Sequence, residues 1–368
     1  MTDANTGARL TGVSTDGLDT AAAIEHARTV GQQALGELTI HERALKLKEL
    51  AIYLQDHREE LYELANQAGA NKRDNFVDID GGISTMFTFS SKGRREMPNS
   101  TVMPDGEAEV FSKDGSFIGR HIYTSIPGVA VQINAFNFPV WGMLEKFAPA
   151  FIAGVPSIVK PATPTGYITA ACVRLMIDSG ILPEGSLQLI SGSARDLLDH
   201  LDYRDHVAFT GSAATAATLK KHPNVQEGGV RFTAETDSLN AAILGPDAAP
   251  GTPEFEAFVK VVFQEMTVKA GQKCTAIRRV IVPQEHVDAV VEALAAGRLH
   301  GYGTDVTDPE PLPDGHPLWT EERALITPHT ADTPEMCVPL LHARVERNLR
   351  ARAAGTELEG LVDAEGGY

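Results

Sequence analysis

Short apolar runs alternate with amphipathic stretches along most of this chain. Two amphipathic helices are predicted over 18–37 and 40–67, because apolar residues recur there at helical spacing. From residue 128 onward, apolar runs such as GVAVQI (128–133) and PSIVK (156–160) are each followed by a helical pattern. Buried strands that alternate with helices predict an α/β fold with a Rossmann-like parallel sheet and helices on both faces.

Two segments interrupt this pattern. DIDGGIST (78–85) carries paired glycines and is predicted to break a helix. The segment over 305–319 is rich in proline and is predicted to be a loop. Ligands of open parallel sheets bind beyond the carboxyl ends of the strands, so candidate binding residues are expected directly after the apolar runs.

Composition and charge narrow the class of protein. The chain has 368 residues and a net charge of −17, without the basic face expected of a nucleic-acid-binding protein. No apolar run reaches the roughly 20 residues of a membrane-spanning helix, and no secretory signal is visible at the N-terminus. Cys172, Cys274 and Cys337 lie far apart, without metal-ligand spacing. We therefore expect a cytoplasmic protein with reduced thiols, a small-molecule ligand and no metal.

Cys274 is the first candidate for chemistry. In TVKAGQKCTAIRR (267–279) it follows a Gly-Gln-Lys turn, between a helical pattern and a β pattern. A thiol attacks a carbonyl well only when it can become a thiolate in an accessible, electropositive setting. Gly271 permits a tight turn whose amides could stabilise an oxyanion. A single cysteine is more often a small core residue, so Cys274 taken alone leaves both interpretations open.

Four segments upstream of this cysteine add to the picture. They are INAFNFPVWG (133–142), IVKPATPTG (158–166), VAFTGSAATA (207–216) and FTAETDSLNAAILG (232–245). In this order and at this spacing they resemble the aldehyde dehydrogenase superfamily, over about residues 10–292 of the chain. They are similar to the branch that oxidises an open-chain CoA-linked semialdehyde in phenylacetate degradation. The resemblance implies an aldehyde-dehydrogenase-like fold and NAD(P)-dependent oxidation of an aldehyde to its acid.

The resemblance implies roles for three catalytic residues. Cys274 matches the nucleophile that forms a thiohemiacetal, which hydride transfer converts to a thioester that water then hydrolyses. Glu235 matches the carboxylate that activates the thiol or the deacylating water. Asn137 matches the amide that donates to the oxyanion together with the backbone N–H of Cys274. Without the resemblance, Glu235 could equally be a surface residue at a strand end, and Asn137 a turn asparagine.

The resemblance also implies a dinucleotide site. Lys160 matches the residue that bonds the adenosine ribose, although a solvated lysine at a strand end is the alternative. Thr210, Gly211 and Ser212 match the turn into a helix whose N-terminus faces the pyrophosphate, and the alternative for Ser212 is a plain N-cap. Thr163 stands where many NAD-using relatives carry a glutamate that would repel a 2′-phosphate. NADP is therefore favoured over NAD.

The tail resembles a different family. EPLP and TPH, with Glu310 and His329, are similar to the C-terminal end of D-isomer-specific 2-hydroxyacid dehydrogenases. There the imidazole is the acid/base and the carboxylate orients it. The substrate arginine and the G-x-G-x-x-G half that this second family requires are missing, so the pair is expected to be vestigial. A gene fusion, a deletion or an engineered junction is placed within about 286–299.

Three regions and three hypotheses follow. The predicted regions are N-terminal helices with a dinucleotide-binding domain over 1–245, the start of a truncated catalytic domain over 246–292, and a foreign tail over 293–368. The leading hypothesis is NAD(P)-dependent oxidation of an aldehyde, such as a CoA-linked semialdehyde of aromatic-acid degradation. An inactive nucleotide-binding remnant and a 2-hydroxyacid dehydrogenase are the alternatives. A homo-oligomer is an expected assembly, and neither nucleic acid nor membrane is an expected partner.

Overall fold

The chain folds into two compact units. The first comprises Met1–Asn240 and Val268–Arg278, and the second Ala241–Thr267 and Arg279–Tyr368. The structure, a computed structural model, describes residues 1–194, 196–295, 302–304, 313, 315–316, 319–320, 324–326, 334–354 and 356.

A five-stranded parallel sheet lies at the centre of the first unit, with the strand order β5–β4–β3–β6–β7. The strands are β3 (Ala130–Ile133), β4 (Ser157–Lys160), β5 (Leu187–Leu189), β6 (His206–Gly211) and β7 (Arg231–Thr236). The chain runs outward from β3 to β5 and then returns to place β6 on the other side of β3. The switch in direction therefore falls between β3 and β6, where parallel sheets bind their ligands.

Helices cover both faces of this sheet, as predicted. Ile158 and Val159 are neighbours in β4, so their side chains point to opposite faces and each joins a different hydrophobic core. Helices α3, α4, α6, α7 and α8 contribute to the core of Val159, and α1 to that of Ile158. The helices of this unit are α1 (Thr20–His26), α2 (Gln32–Gly36), α3 (Ile40–Asp56), α4 (Arg58–Gln67), α5 (Lys72–Asn75), α6 (Gly81–Arg95), α7 (Trp141–Ile152), α8 (Gly166–Asp178), α9 (Ala213–Lys220) and α10 (Pro223–Gln226). The predicted α/β fold is confirmed.

The two predicted N-terminal helices are confirmed, with local irregularities. A π-helical turn at Ala27–Gly31 joins α1 to α2 without a break. The predicted helix over 40–67 is divided into α3 and α4 at His57. Helix α3 begins with a capping box, in which Thr39 accepts a hydrogen bond from the Glu42 N–H and the Glu42 carboxylate accepts one from the Thr39 N–H.

The predicted helix break over 78–85 is wrong. The chain forms a π-helical turn at Phe76–Asp80 that continues directly into α6. Here the glycines serve close packing: a β-carbon on Gly81 would lie 2.4 Å from the Trp141 ring, and one on Gly82 would lie 2.9 Å from the Trp141 Cα. The sequence shows the same glycines in either case, because the tryptophan comes from a distant helix.

Smaller elements complete the described residues. An antiparallel hairpin of β1 (Met103–Val110) and β2 (Ile118–Tyr123) belongs to the first unit. In the second unit, Leu244, Phe255 and Val259 share a hydrophobic cluster. The other elements of that unit are β8 (Ala241–Ile243), β9 (Arg279–Ile281), β10 (Tyr302–Thr304), β11 (Ala324–Ile326), α11 (Pro253–Thr267), α12 (Val287–Ala295) and α13 (Pro334–Ala354). Among the described residues, no helix has the length and apolar character needed to cross a membrane.

Candidate active site

The three catalytic candidates meet in one pocket of the first unit. Asn137 follows β3, Glu235 lies in β7 opposite Thr210 of β6, and Cys274 lies on the segment Val268–Arg278. The side chains of these three residues and of Thr210 line a pocket of about 330 Å³. Phe138 and Trp141 make this pocket largely apolar on one side. The structure thus brings together residues that are up to about 140 positions apart in the sequence. Asn137 and Glu235 meet because parallel strands end at the same edge of the sheet, whereas the segment of Cys274 is bound there by the hydrogen bond from Asn137 to Gln272.

The backbone before Cys274 turns through the left-handed region. The φ angles are 54° at Lys269, 52° at Ala270 and 70° at Gly271. Only glycine adopts this conformation freely, and a residue with a β-carbon carries a cost of about 1–2 kcal/mol there. The turn expected at Gly271 is therefore longer than its sequence suggests, and surrounding contacts must hold it.

Side-chain amides fix the segment on both sides of the thiol. Asn137 Nδ2 donates to the backbone oxygen of Gln272 at 2.6 Å. Asn240 Nδ2 donates to the backbone oxygens of Cys274 and Ala276. A carboxamide nitrogen has two hydrogens, so the bond to Gln272 uses half of the donating capacity of Asn137. An oxyanion contact from Asn137 stays a prediction.

The electrostatic environment favours the protonated form of Cys274. Desolvation is the main reason why the pKa of the Cys274 thiol is raised, and the negative charges of Glu235 and Glu145 raise it further. Backbone hydrogen bonds to the sulfur oppose this effect. These carboxylates therefore do not create the electropositive setting that was expected around the Cys274 thiol. A thiol with a raised pKa needs a base to remove its proton, which is the role predicted for Glu235.

A larger pocket of about 620 Å³ extends from the same residues along β6 and is lined by Thr210, Gly211 and Ser212. Ser212 is the N-cap of α9, and its Oγ accepts a hydrogen bond from the Thr215 N–H at 3.1 Å. Its capping role is therefore observed. The Asp237 carboxylate, which also lines this pocket, accepts a hydrogen bond from the Ala213 N–H at 3.2 Å, so two N–H groups of this helix end are already paired.

Buried polar atoms in this pocket fit a polar ligand. Within the described part of the chain, Thr210 Oγ1 and both side-chain polar atoms of Asn134 are buried and have no hydrogen-bond partner. Unpaired buried polar atoms are costly, so they point to a ligand that would satisfy them. Together with the α9 N-terminus, they match the ribose hydroxyls, amides and phosphates of a dinucleotide.

Lys160 and Thr163 lie on the connection between β4 and α8. Lys160 is the last residue of β4, and burial lowers the pKa of its amine. Thr163 is exposed and lines a separate pocket of about 470 Å³, together with Pro161 and Arg174. The structure thus places both residues at the carboxyl end of the sheet but not among the residues that line the pocket of Cys274.

Two of the predicted site residues belong to the tail. Glu310 and His329 of the tail lie outside the described residues. Among the residues that the structure does describe, no group of three or more His, Cys, Asp or Glu side chains could hold a metal ion.

Other pocket residues are absent from the predicted set. Glu145 lines the catalytic pocket one helical turn after Trp141, a spacing that could have revealed it. Asn134 has a weaker signal, because it is one polar residue directly after an apolar strand. Asp78 contacts the segment of Cys274 only through tertiary packing, and no sequence signal indicates it.

The comparisons with known proteins concern the family and the fold of the chain. A sequence profile of the aldehyde dehydrogenase family matches residues 4–300. The 3,4-dehydroadipyl-CoA semialdehyde dehydrogenase of Aromatoleum evansii is 47% identical over 302 residues, which cover 82% of this chain and 58% of that protein. A crystal structure of an Escherichia coli NADP dependent enzyme superposes with a TM-score of 0.69 at 24% identity, over 82% of this chain and 60% of that one. Succinic semialdehyde dehydrogenase from Streptococcus pyogenes, in complex with NADP⁺, gives 0.68 at 22% identity, over 83% and 63%.

The second resemblance is also found. A profile of the D-isomer specific 2-hydroxyacid dehydrogenase NAD binding domain matches residues 285–331, and it overlaps the first profile over 285–300. The chain spans 58% of the length of its Aromatoleum evansii relative. Because the first profile covers most of the sequence and the architecture agrees with it, the chain belongs to the aldehyde dehydrogenase family.

Proposed function

We propose that this protein oxidises an aldehyde to its acid, with NADP or NAD as the hydride acceptor and Cys274 as the nucleophile. The observation that carries the proposal is the single pocket in which the Cys274 thiol, the Glu235 carboxylate and the Asn137 amide meet. Thiol, base and amide donor are the three groups that covalent catalysis at a carbonyl requires.

Each group has a defined task in this proposal. Glu235 takes the proton of Cys274 as the sulfur attacks the aldehyde carbon. The backbone N–H of Cys274 and the second N–H of Asn137 donate to the oxygen of the thiohemiacetal. NADP or NAD held in the pocket along β6 would supply the hydride acceptor that converts the thiohemiacetal on Cys274 to a thioester. Glu235 then releases the proton of Cys274 to solvent, and as a carboxylate again it removes a proton from the water that hydrolyses this thioester.

The cofactor site is proposed along β6. Asn134, Thr210 and the N-terminus of α9 would hold the nicotinamide half and the pyrophosphate, because Asn134 and Thr210 supply unpaired buried polar atoms and the helix begins beside them in the same pocket. A phosphate there would have to displace the Asp237 carboxylate from the Ala213 N–H. Lys160 and Thr163 would hold the adenosine ribose. Thr163 carries no charge to repel a 2′-phosphate, which supports NADP over NAD.

The substrate class is a finer proposal. The Aromatoleum evansii relative acts on a CoA-linked semialdehyde, by its name, and is 47% identical to this chain. We therefore propose a CoA-linked semialdehyde of aromatic-acid degradation as the substrate. The predicted gene fusion near 286–299 is supported by the overlap of the two family profiles. The domain limits at 245 and 292, the cytoplasmic location and homo-oligomerisation stay predictions.

An inactive nucleotide-binding remnant is the second candidate. It is supported by the change of family profile at 285–300, because the residues that follow, up to 331, match a different family. The 2-hydroxyacid dehydrogenase alternative rests on Glu310 and His329, which lie outside the described residues.

Turnover would separate these candidates. NADP⁺ and NAD⁺ reduction should be measured with a panel of aldehydes that includes a CoA-linked semialdehyde. The Cys274→Ala variant should lose turnover, whereas Cys172→Ala, which alters a thiol buried in the core, should keep it. Cofactor binding without turnover by the folded wild-type protein would refute the enzyme and support the remnant.

A further inference from the structure

Two buried carboxylates contact the segment that carries Cys274. Asp74 Oδ1 accepts a hydrogen bond from the backbone N–H of Lys269 at 2.7 Å. Asp78 Oδ2 lies 3.9 Å from Lys269 Nζ. Both aspartates belong to the helical stretch before α6, and Lys269 is the first left-handed residue of the turn before Cys274. The two contacts therefore act on the backbone and on the side chain of one strained residue.

Asp78 also binds the segment that follows Asn137. Its Oδ1 accepts hydrogen bonds from the backbone N–H groups of Trp141 at 2.8 Å and Val140 at 3.3 Å. One carboxylate thus connects the start of α7 to Lys269. The bond from Asn137 to Gln272 closes a ring of contacts between the two catalytic segments.

The buried ion pair of Asp78 and Lys269 is not explained by a gain in stability alone. The Asp78 side chain is 3% exposed and that of Lys269 is 10% exposed, and the ammonium also lies 4.9 Å from the centre of the Phe138 ring. Buried ion pairs are often no more stabilising than apolar residues of the same size. Their best supported benefit is that they specify one geometry, and here that geometry includes two consecutive non-glycine residues in the left-handed region.

We propose that Lys269 and Asp78 are positioning residues: their buried pair fixes the Cys274 segment against the Asn137 segment and so sets where the thiol stands relative to the oxyanion donor. Neither residue touches the aldehyde in this proposal. The kinetic part of the inference rests on the proposed function, whereas its structural part does not.

The variants Lys269→Met, Asp78→Asn and the double variant test this pairing. Lys269→Met keeps the length of the side chain and removes the cation, so the pair is lost whether Asp78 then stays charged or takes up a proton. The double variant removes both charges and should recover thermal stability. Lys220→Met is the matched control, because Lys220 also lies over a phenylalanine ring, 5.8 Å from the centre of Phe232, but belongs to α9.

Hydrogen exchange over Val268–Ala276 is the measurement that does not depend on activity. We expect exchange there to become about tenfold faster in all three variants and to stay unchanged in Lys220→Met. Unchanged exchange in Lys269→Met would overturn the proposal, whether or not the wild-type protein oxidises aldehydes. Cys172, which is buried in the core, serves as an internal reference, since its alkylation would reveal global unfolding.

The kinetic measurement separates positioning from simple stabilisation. Displacement of a catalytic group by about 1 Å can cost about a hundredfold in rate. We expect kcat to fall by about that factor in Lys269→Met, with the KM for the aldehyde within about threefold of wild type. The double variant should recover its thermal midpoint but not its kcat. Recovery of kcat together with the midpoint would overturn the proposal, because the pair would then serve stability only.

Discussion

The charge state of Asp78 should make the stability of the first unit depend on pH. The carboxylate is fully buried, and desolvation raises its pKa to about 6, against the lowering effects of Lys269 and of the Trp141 and Val140 N–H donors. Desolvation is the largest of these effects, and the attraction of the Lys269 ammonium, 3.9 Å away, comes second. Asp78→Asn removes this titration while it keeps the shape of the side chain.

The magnitude follows from the difference between the folded and unfolded pKa values. An unfolded aspartate has a pKa of about 3.9, so the shift to about 6 is worth about 3 kcal/mol. Because the folded pKa is raised, the contribution is fully present below about pH 4 and is lost as the pH rises through about 6. The unfolding free energy of the wild type, relative to Asp78→Asn, should therefore fall by about 3 kcal/mol between about pH 4 and pH 7.

Urea unfolding of both proteins across this pH range is the assay. The chain has two tryptophans, so Trp319→Phe in both proteins leaves Trp141 as the sole fluorescent reporter, next to Asp78. A relative stability that rises with pH would refute the reasoning, since it would mean that Lys269 and the N–H donors outweigh desolvation. A flat difference would mean that the two effects cancel.

Three further predictions concern cofactor choice, the nucleophile and the core. Thr163→Glu should raise the KM for NADP by about tenfold while that for NAD stays near wild type, because a carboxylate repels the 2′-phosphate; an equal rise for both cofactors would contradict the assignment. The rate of Cys274 alkylation should reach half its maximum above the ordinary thiol pKa of about 8.5, and Glu235→Gln should move this midpoint to lower pH; an unmoved midpoint would show that the carboxylate does not act on the thiol. Phe147→Ala should lower the unfolding free energy by about 3–5 kcal/mol in urea titrations, because the ring is fully buried beside Phe151; a loss below about 1 kcal/mol would mean that the core collapses around the gap.

The central sheet could be predicted from the sequence because its inner strands are buried on both faces. β3, β4 and β6 are short apolar runs between helical patterns, and that pattern is local. β7 at the sheet edge alternates between exposed and half-buried residues, and the hairpin of β1 and β2 is mostly exposed, so neither produced an apolar run to be recognised. Edge strands and exposed hairpins have the weakest local signal for this reason.

The candidate site, like the sheet, was predicted from the sequence only where its residues belong to a local pattern. The sequence by itself determined the order of the segments that carry Asn137, Glu235 and Cys274, because each follows or forms part of a local pattern. Only the tertiary structure decided that these residues share a pocket, and that Asp74 would bind Lys269 across 195 residues of chain. The physical reason is that periodicity depends on neighbours along the chain, whereas desolvation and buried hydrogen bonds depend on neighbours in space. The glycines that begin α6 and the aspartate at 78 therefore acquire their roles only once Trp141 and Lys269 are packed against them.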